Sequence, residues 1–305
     1  MREAPSADVR SRTGAMSPGV RSIALDGAGV TLSGLFAEPA HGAPRAVVAA
    51  LHGGGMRAGY FDSRVHPDLS LLTLGARLGF TVLALDRPGY GLSATRLPDG
   101  QTLTDQVVTV SSALAAFAER HPTGAGVLLL GHSFGGKLAL RLAAEDAVAD
   151  LLAVDVSGCG HRFAVDPDTV HQRPGMSQVR LNWGPLSLYP PGTFEAAGAL
   201  AGALPRLEAK DARDWPRMCD ALLPRIKVPV RLTFAEHEAW WRQTDDDLAD
   251  LAALLSAAPC ARVERLPDAG HNISLGRTAR AYHLRVLAFL EETLHTDGRR
   301  AARPA

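Results

Sequence analysis

Four short stretches of this 305-residue chain hold side chains that could do chemistry together. The first is Gly131-His132-Ser133-Phe134-Gly135-Gly136. An apolar run, Val127 to Leu130, precedes it, and Lys137 to Ala144 has helical composition. That is the strand–turn–helix setting in which a serine hydroxyl stands exposed on a tight, strained turn. Gly131 and Gly135 flank the turn because a Cβ at either would strike neighbouring backbone. The helix start behind Ser133 offers free N–H groups and a positive dipole to a developing oxyanion. Gly131, Gly136 and Lys137 also fit most of a phosphate-binding loop. That loop requires Ser or Thr next, and Leu138 stands there instead.

The second stretch is His52-Gly53-Gly54-Gly55, where consecutive glycines let backbone N–H groups face a cavity. One donor from Phe134 and one from Gly54 or a neighbour would hold an oxyanion, each worth about 10²–10³ in rate. The third is Gly270-His271-Asn272, late in the chain and just after a strand. A neutral imidazole there can take the Ser133 proton and return it to a leaving group. The fourth is Glu236-His237-Glu238. Such a base needs a carboxylate to fix its tautomer and to stabilise the imidazolium. Glu236 and Glu238 both qualify, and Asp155, from an earlier strand, is the remaining alternative.

These stretches need elements to position them. Arg21 to Leu25 and Val30 to Ala37 read as a hairpin around Asp26-Gly27-Ala28-Gly29. Arg45 to Leu51, Phe80 to Leu85, Val127 to Leu130 and Leu151 to Val156 are apolar enough to be strands covered on both faces. Asp68 to Leu78 and Leu103 to Arg120 carry apolar residues at helical intervals, the second with Thr102 or Thr104 as a cap. After an interval the pattern resumes, with strands over Val228–Phe234 and Ala261–Leu266 and helices over Asp245–Leu255 and Leu275–Leu294. Strands alternating with helices imply a mostly parallel central sheet with helices on both faces, an α/β fold. In such sheets the chemistry gathers beyond the carboxyl ends of the strands, where all four stretches fall.

Cys159 to Arg225 interrupts the alternation with eight prolines, aromatics and short helical pieces. It reads as a small cap or lid insertion over residues 159–225, between a first core part at 20–158 and a second at 226–295. Residues 1–19 read as a disordered polar tail without the apolar core of a secretory signal, and 296–305 as a frayed end. On that ground a cytoplasmic protein is expected, and three sparse cysteines suggest no disulfide framework. Lys+Arg and Asp+Glu both number 32, which argues against a nucleic-acid or polybasic membrane partner. No stretch reaches about 18 apolar residues, so no membrane span is expected. His66, His161, His171 and His237 do not fall at metal-ligand spacing, so no metal is expected, and no cofactor is implied. Lys137 and Asp245-Asp246-Asp247 read as solvated helix charges.

Taken together, His52-Gly53-Gly54-Gly55, Asp86-Arg87-Pro88-Gly89-Tyr90-Gly91-x-Ser93, Gly131-His132-Ser133-Phe134-Gly135-Gly136 and Gly270-His271 come in one order. In that order the chain resembles the α/β-hydrolase superfamily from about Val20 onward. The resemblance implies Ser133 as nucleophile, His271 as base and an acid in the Glu236–Glu238 loop. The family's acid loop usually reads Gly-x-x-Asp, and the aligned form here is Ala235-x-x-Glu238, which favours Glu238 over Glu236. The Asp86–Ser93 segment would be structural, packing beside the oxyanion loop. Serine at 133 argues against dehalogenase and epoxide-hydrolase relatives, which carry aspartate there.

Met56, Tyr60, Phe61, Phe134, Trp240 and Trp241 cluster near these motifs in sequence. The insertion adds Phe163, Met176, Trp183, Tyr189, Phe194 and Trp215. An apolar, aromatic wall suits an uncharged small-molecule acyl or aryl substrate, with Met56, Trp183, Trp240 and Trp241 as binding residues. Three readings follow: hydrolysis of a carboxylic ester or thioester through an acyl-enzyme; the same triad used for acyl transfer, cyclisation, C–C cleavage or lyase chemistry; or a ligand-binding member of the fold.

Overall fold

The computed structural model describes residues 16–168 and 176–301. β1 (Arg21–Gly27) and β2 (Val30–Ala37) form the expected hairpin. Ala28 and Gly29 both take positive φ, at 52° and 80°, as the tightest hairpin turns require. β3 (Val47–Leu51), β4 (Thr81–Leu85) and β5 (Val127–His132) are buried at every residue. β6 (Leu151–Ser157), β7 (Val230–His237) and β8 (Ala261–Gly270) complete an eight-stranded sheet ordered β1-β2-β4-β3-β5-β6-β7-β8. β1 with β2 and β2 with β4 are antiparallel; every other pair is parallel.

Alternate residues of the central strands feed two cores. Val48 and Ala50 of β3 face α1 (Leu71–Arg77) and α8 (Ala279–Ala301), which bring Leu71, Leu72, Tyr282, Val286 and Leu290. Val47, Ala49 and Leu51 face α2 (Leu103–Ala118), α3 (Phe134–Ala144) and α7 (Asp245–Leu254). Side-chain caps fix the helix starts: Ser70 accepts the Thr73 N–H at 3.2 Å and Thr102 the Asp105 N–H at 3.2 Å. From β3 the chain steps outward to β4, then returns across β3 to β5. The strand order therefore reverses between β3 and β5, and a crevice opens beyond their carboxyl ends.

Between β6 and β7 lie α4 (Met176–Trp183), α5 (Thr193–Leu200) and α6 (Arg206–Leu222). The last is no short piece. Its buried stripe, Glu208, Asp211, Trp215, Cys219 and Leu222, keeps helical spacing across 17 residues. Pro216 and the two acids in the stripe hide it from an apolar pattern. The closing helix starts at Ala279 and runs to Ala301, into the end expected to fray at 296–305, with the Thr296 hydroxyl donating to the Glu292 carbonyl at 2.8 Å. Residues 1–15 of the expected tail lie outside the described residues, as do His171, Pro174 and the Met176 side chain. Residues 16–19 belong to the folded body: the Ser17 N–H donates to Asp62 at 3.0 Å and the Val20 N–H returns to Ser17. Among the described residues no helix is long and apolar enough to cross a membrane.

Candidate active site

Ser133 joins β5 to α3 with φ 52° and ψ −113°, a conformation that non-glycine residues rarely hold. The surroundings enforce it. The Ser133 N–H donates to the Ser157 carbonyl at 2.8 Å, while the Gly136 and Lys137 N–H groups close on the Ser133 carbonyl at 3.0 and 3.2 Å. A Cβ on Gly135 would stand 2.1 Å from the Leu51 carbonyl oxygen, and one on Gly131 would stand 2.5 Å from the Gly135 oxygen. The turn is therefore as tight as the glycine spacing predicts. Its serine is half-buried and lines a cavity of about 540 Å³, with no hydrogen bond to its hydroxyl among the described residues.

Beyond β3, the loop from His52 to Gly55 runs beside this turn, and a Cβ on Gly53 would stand 3.2 Å from Ser133 Cβ. The loop is pinned from behind. The His52 ring holds the Gly53 carbonyl through Nδ1 at 2.8 Å and accepts the Arg87 N–H at Nε2 at 3.0 Å. Burial beside Arg87 holds this imidazole well below its ordinary pKa, so it stays neutral. The Gly55 N–H donates to the Tyr90 hydroxyl at 2.9 Å and is thereby spent. The N–H groups of Gly54 and Phe134 have no partner among the described residues, as the first N–H of a helix has none of its own.

The acid loop follows from sheet register. β7 and β8 pair in parallel as Ala235↔Leu266 and then His237↔Gly270, so two extra residues of β8 bulge out between these pairs. Residues 238 and 271 leave the sheet immediately after a paired couple and emerge side by side. Glu238 Oε2 accepts from His271 Nδ1 at 2.7 Å, and its Oε1 accepts the Trp240 N–H at 2.9 Å. Both side chains are buried. With Nδ1 facing the carboxylate, Nε2 has no hydrogen bond among the described residues, and the ring lines the cavity that Ser133 also lines. Glu236 is exposed, and its carboxylate accepts the Asp268 N–H at 2.8 Å inside the bulge, away from His271. Asp155 is paired with Arg231 at 2.6 Å within the sheet and reaches no histidine among the described residues.

Of the aromatic set, Met56, Phe134, Phe163, Trp183, Phe194, Trp240 and Trp241 line the cavity. Tyr60, Phe61, Tyr189 and Trp215 do not; they are core. Tyr60 stacks on His132 at 4.7 Å, and Trp215 donates to the Gly160 carbonyl at 2.9 Å. Leu204, Asn182 and His132 line the cavity without any sequence signal of their own. His132 is kept neutral, its pKa held well down by burial and by His271 and Lys137 nearby. Two charges depart from the expected solvated state. Asp247 is buried because it closes a capping box with Thr244 at the start of α7. Lys137 is only 3% exposed, because one turn into α3 it faces the cavity and the rings around it rather than water.

Comparison with known proteins bears on the fold. A search of curated proteins by sequence finds no match. Among solved structures, the chain is similar to a proline iminopeptidase from Mycobacterium smegmatis, at 18% identity and TM-score 0.68, over 91% of this chain and 100% of that one. It is similar to a thermostable carboxyl esterase from Bacillus coagulans, at 15% identity and TM-score 0.66, over 92% and 100%. It is also similar to an enol-lactonase from Burkholderia xenovorans, at 20% identity and TM-score 0.62, over 89% and 100%. At such identities the likeness is one of fold. The alpha/beta hydrolase family profile matches residues 47–282. That span takes in the glycine loop, the serine turn, the acid loop and His271, and the chain belongs to the alpha/beta hydrolase family.

Proposed function

We propose that the protein is a serine hydrolase that cleaves a carboxylic ester or thioester of a small molecule through an acyl-enzyme on Ser133. The observation that carries this reading is the 2.7 Å contact between Glu238 and His271, whose ring lines the same cavity as Ser133. His271 Nε2 takes the Ser133 proton as the hydroxyl oxygen attacks the acyl carbon. Glu238 keeps the proton of the imidazole on Nδ1 and stabilises the imidazolium. The N–H groups of Gly54 and Phe134 receive the developing oxyanion, and the imidazolium returns its proton to the departing alcohol or thiol. Water then repeats the sequence on the acyl-enzyme. Apo geometry with a free serine hydroxyl suits this, since catalytic hydrogen bonds tighten once substrate is bound.

Residues 159–225 act in this reading as a lid, supplying Phe163, Trp183, Phe194 and Leu204 to a mostly apolar wall, with the core in two parts at 20–158 and 226–295. Met56, Trp240 and Trp241 complete the acyl pocket. Three free cysteines suit a reducing, cytoplasmic setting. The test is a fluorophosphonate probe together with a panel of p-nitrophenyl esters. The expected result is labelling at Ser133 and, in Ser133→Ala, no labelling and turnover lower by at least about 10⁴-fold. An unlabelled wild type, or a Ser133→Ala protein that still turns over, would overturn the assignment and favour a ligand-binding role.

A further inference from the structure

Lys137 sits one helical turn beyond Ser133, about 5.4 Å along the axis of α3. It lines the same cavity, yet it is 3% exposed and forms no hydrogen bond or ion pair among the described residues. Its Nζ lies 4.8 Å from the Trp241 ring centroid, 5.9 Å from Phe134 and 6.0 Å from Trp215. Ring faces attract a cation but do not neutralise it.

Among the described residues, every titratable neighbour of this amine fails as a counter-ion. Cys159 and Cys219 lie close enough to act on it, but burial pushes both thiols up, Cys159 to about 11, so they stay protonated. Glu238 is already shared between His271 and the Trp240 N–H. Arg87 repels, and it is itself paired with Glu208. Burial and Arg87 together hold the lysine below its ordinary pKa. An unpaired buried charge is costly, and folded proteins keep one where something else completes it.

We propose that Lys137 is the specificity-determining residue of the cavity, and that it binds a carboxylate on the far end of the acyl portion of the substrate. The proposal rests on the serine-hydrolase reading above for the position of the scissile bond. One ammonium matches one negative charge. Among the described residues that line the cavity there is no arginine fork and no second lysine, so a carboxylate is favoured over a phosphate dianion. The apolar wall takes the chain between the two ends, and a few methylenes span one helical turn. The substrate class is thus a monoester or monothioester of a dicarboxylic acid, in place of the uncharged substrate expected from the aromatic residues alone.

The experiment compares mono-4-nitrophenyl esters of succinic, glutaric and adipic acid with the same esters capped as methyl esters at the other carboxyl. For at least one chain length, wild type should favour the free carboxylate by at least about tenfold in kcat/KM, as a charge-assisted hydrogen bond allows. In Lys137→Met the ratio should collapse to near one, and in Lys137→Arg a preference should return in part. Calorimetry on Ser133→Ala with monomethyl and dimethyl esters of the same acids needs no turnover, so it separates a failed hydrolase reading from a failed assignment of Lys137. Tighter binding of the free carboxylate, lost in Ser133→Ala/Lys137→Met, supports the proposal even if no ester is cleaved. No preference at any chain length, no binding of either ligand, or a preference that survives Lys137→Met would overturn it.

Discussion

At the scale of single residues, one contact separates two glutamates that stand two positions apart. Glu238 bonds His271 at 2.7 Å, while Glu236 braces the Asp268 backbone at 2.8 Å. Glu238→Gln should therefore lower kcat by about 10³-fold or more, since the amide no longer fixes the tautomer or stabilises the imidazolium. Glu236→Gln keeps an acceptor for the Asp268 N–H and should cost less than about tenfold. Steady-state kinetics on both variants checks this, and the reverse ranking would move the acid. The serine and the histidine were legible in the sequence because each stands in a motif whose glycines have a steric cause. The choice of glutamate was not derivable from alternation along a strand, which puts 236 and 238 on one face. It is made by a bulge between Leu266 and Gly270 and by the turn at Glu238, whose N–H returns to Ala235 at 3.0 Å. Lys137 was misread for a related reason. A lysine on a helix is usually solvated, and only the fold shows which face of α3 is roofed by Trp215 and Trp241.

At the scale of elements, the β5–α3 turn sets the tolerances of the site. Gly135 has backbone on the side where a Cβ would go, with the Leu51 oxygen at 2.1 Å and the His52 oxygen at 2.6 Å. Neither neighbour can swing away without moving the glycine loop. Gly135→Ala should thus destabilise the fold by about 3 kcal/mol or more, at the upper end of overpacking costs. Gly198, in α5, would meet nothing within 4 Å. Gly198→Ala should stabilise by about 0.4–1 kcal/mol by restricting the unfolded chain. Urea denaturation of the two variants gives the comparison, and a Gly135→Ala protein of normal stability would refute the geometry of the turn. The core elements were readable because buried strands and amphipathic helices carry their periods in sequence. α6 was not, because its inward stripe opens with Glu208 and Asp211, acids that are buried only because the core offers them donors.

At the scale of the whole molecule, those donors tie the inserted segment to the sheet. Glu208 meets Arg87 at 3.0 Å through Oε2 and Nη2, takes the Tyr90 hydroxyl at 2.8 Å and takes Gln106 Nε2 at 3.0 Å. Arg87 in turn donates Nε–H to the His52 carbonyl at 2.7 Å, and Tyr90 accepts the Gly55 N–H. One buried carboxylate on α6 thus braces both sides of the loop that presents Gly54. Asp211 adds a second tie by accepting the Leu103 N–H at the start of α2. The sequence marks Asp86 to Ser93 as structural but does not reveal the partner, which lies 121 residues away from Arg87. Glu208→Gln leaves the Arg87 guanidinium buried without a counter-charge and should cost about 3–5 kcal/mol. Arg87→Met combined with Glu208→Leu removes both charges together, and apolar replacement of a buried pair is often close to neutral. The double variant should regain most of the lost stability in a thermal melt. On the proposed function it should still hydrolyse esters poorly, because the His52 carbonyl has lost the Arg87 Nε–H and the glycine loop beside Ser133 is held less firmly. Stability and turnover would then separate in one protein. A double variant that recovers both would mean that the tie serves the fold alone, and a Glu208→Gln protein that melts like wild type would mean that the pair does not bridge the insertion and the core in solution.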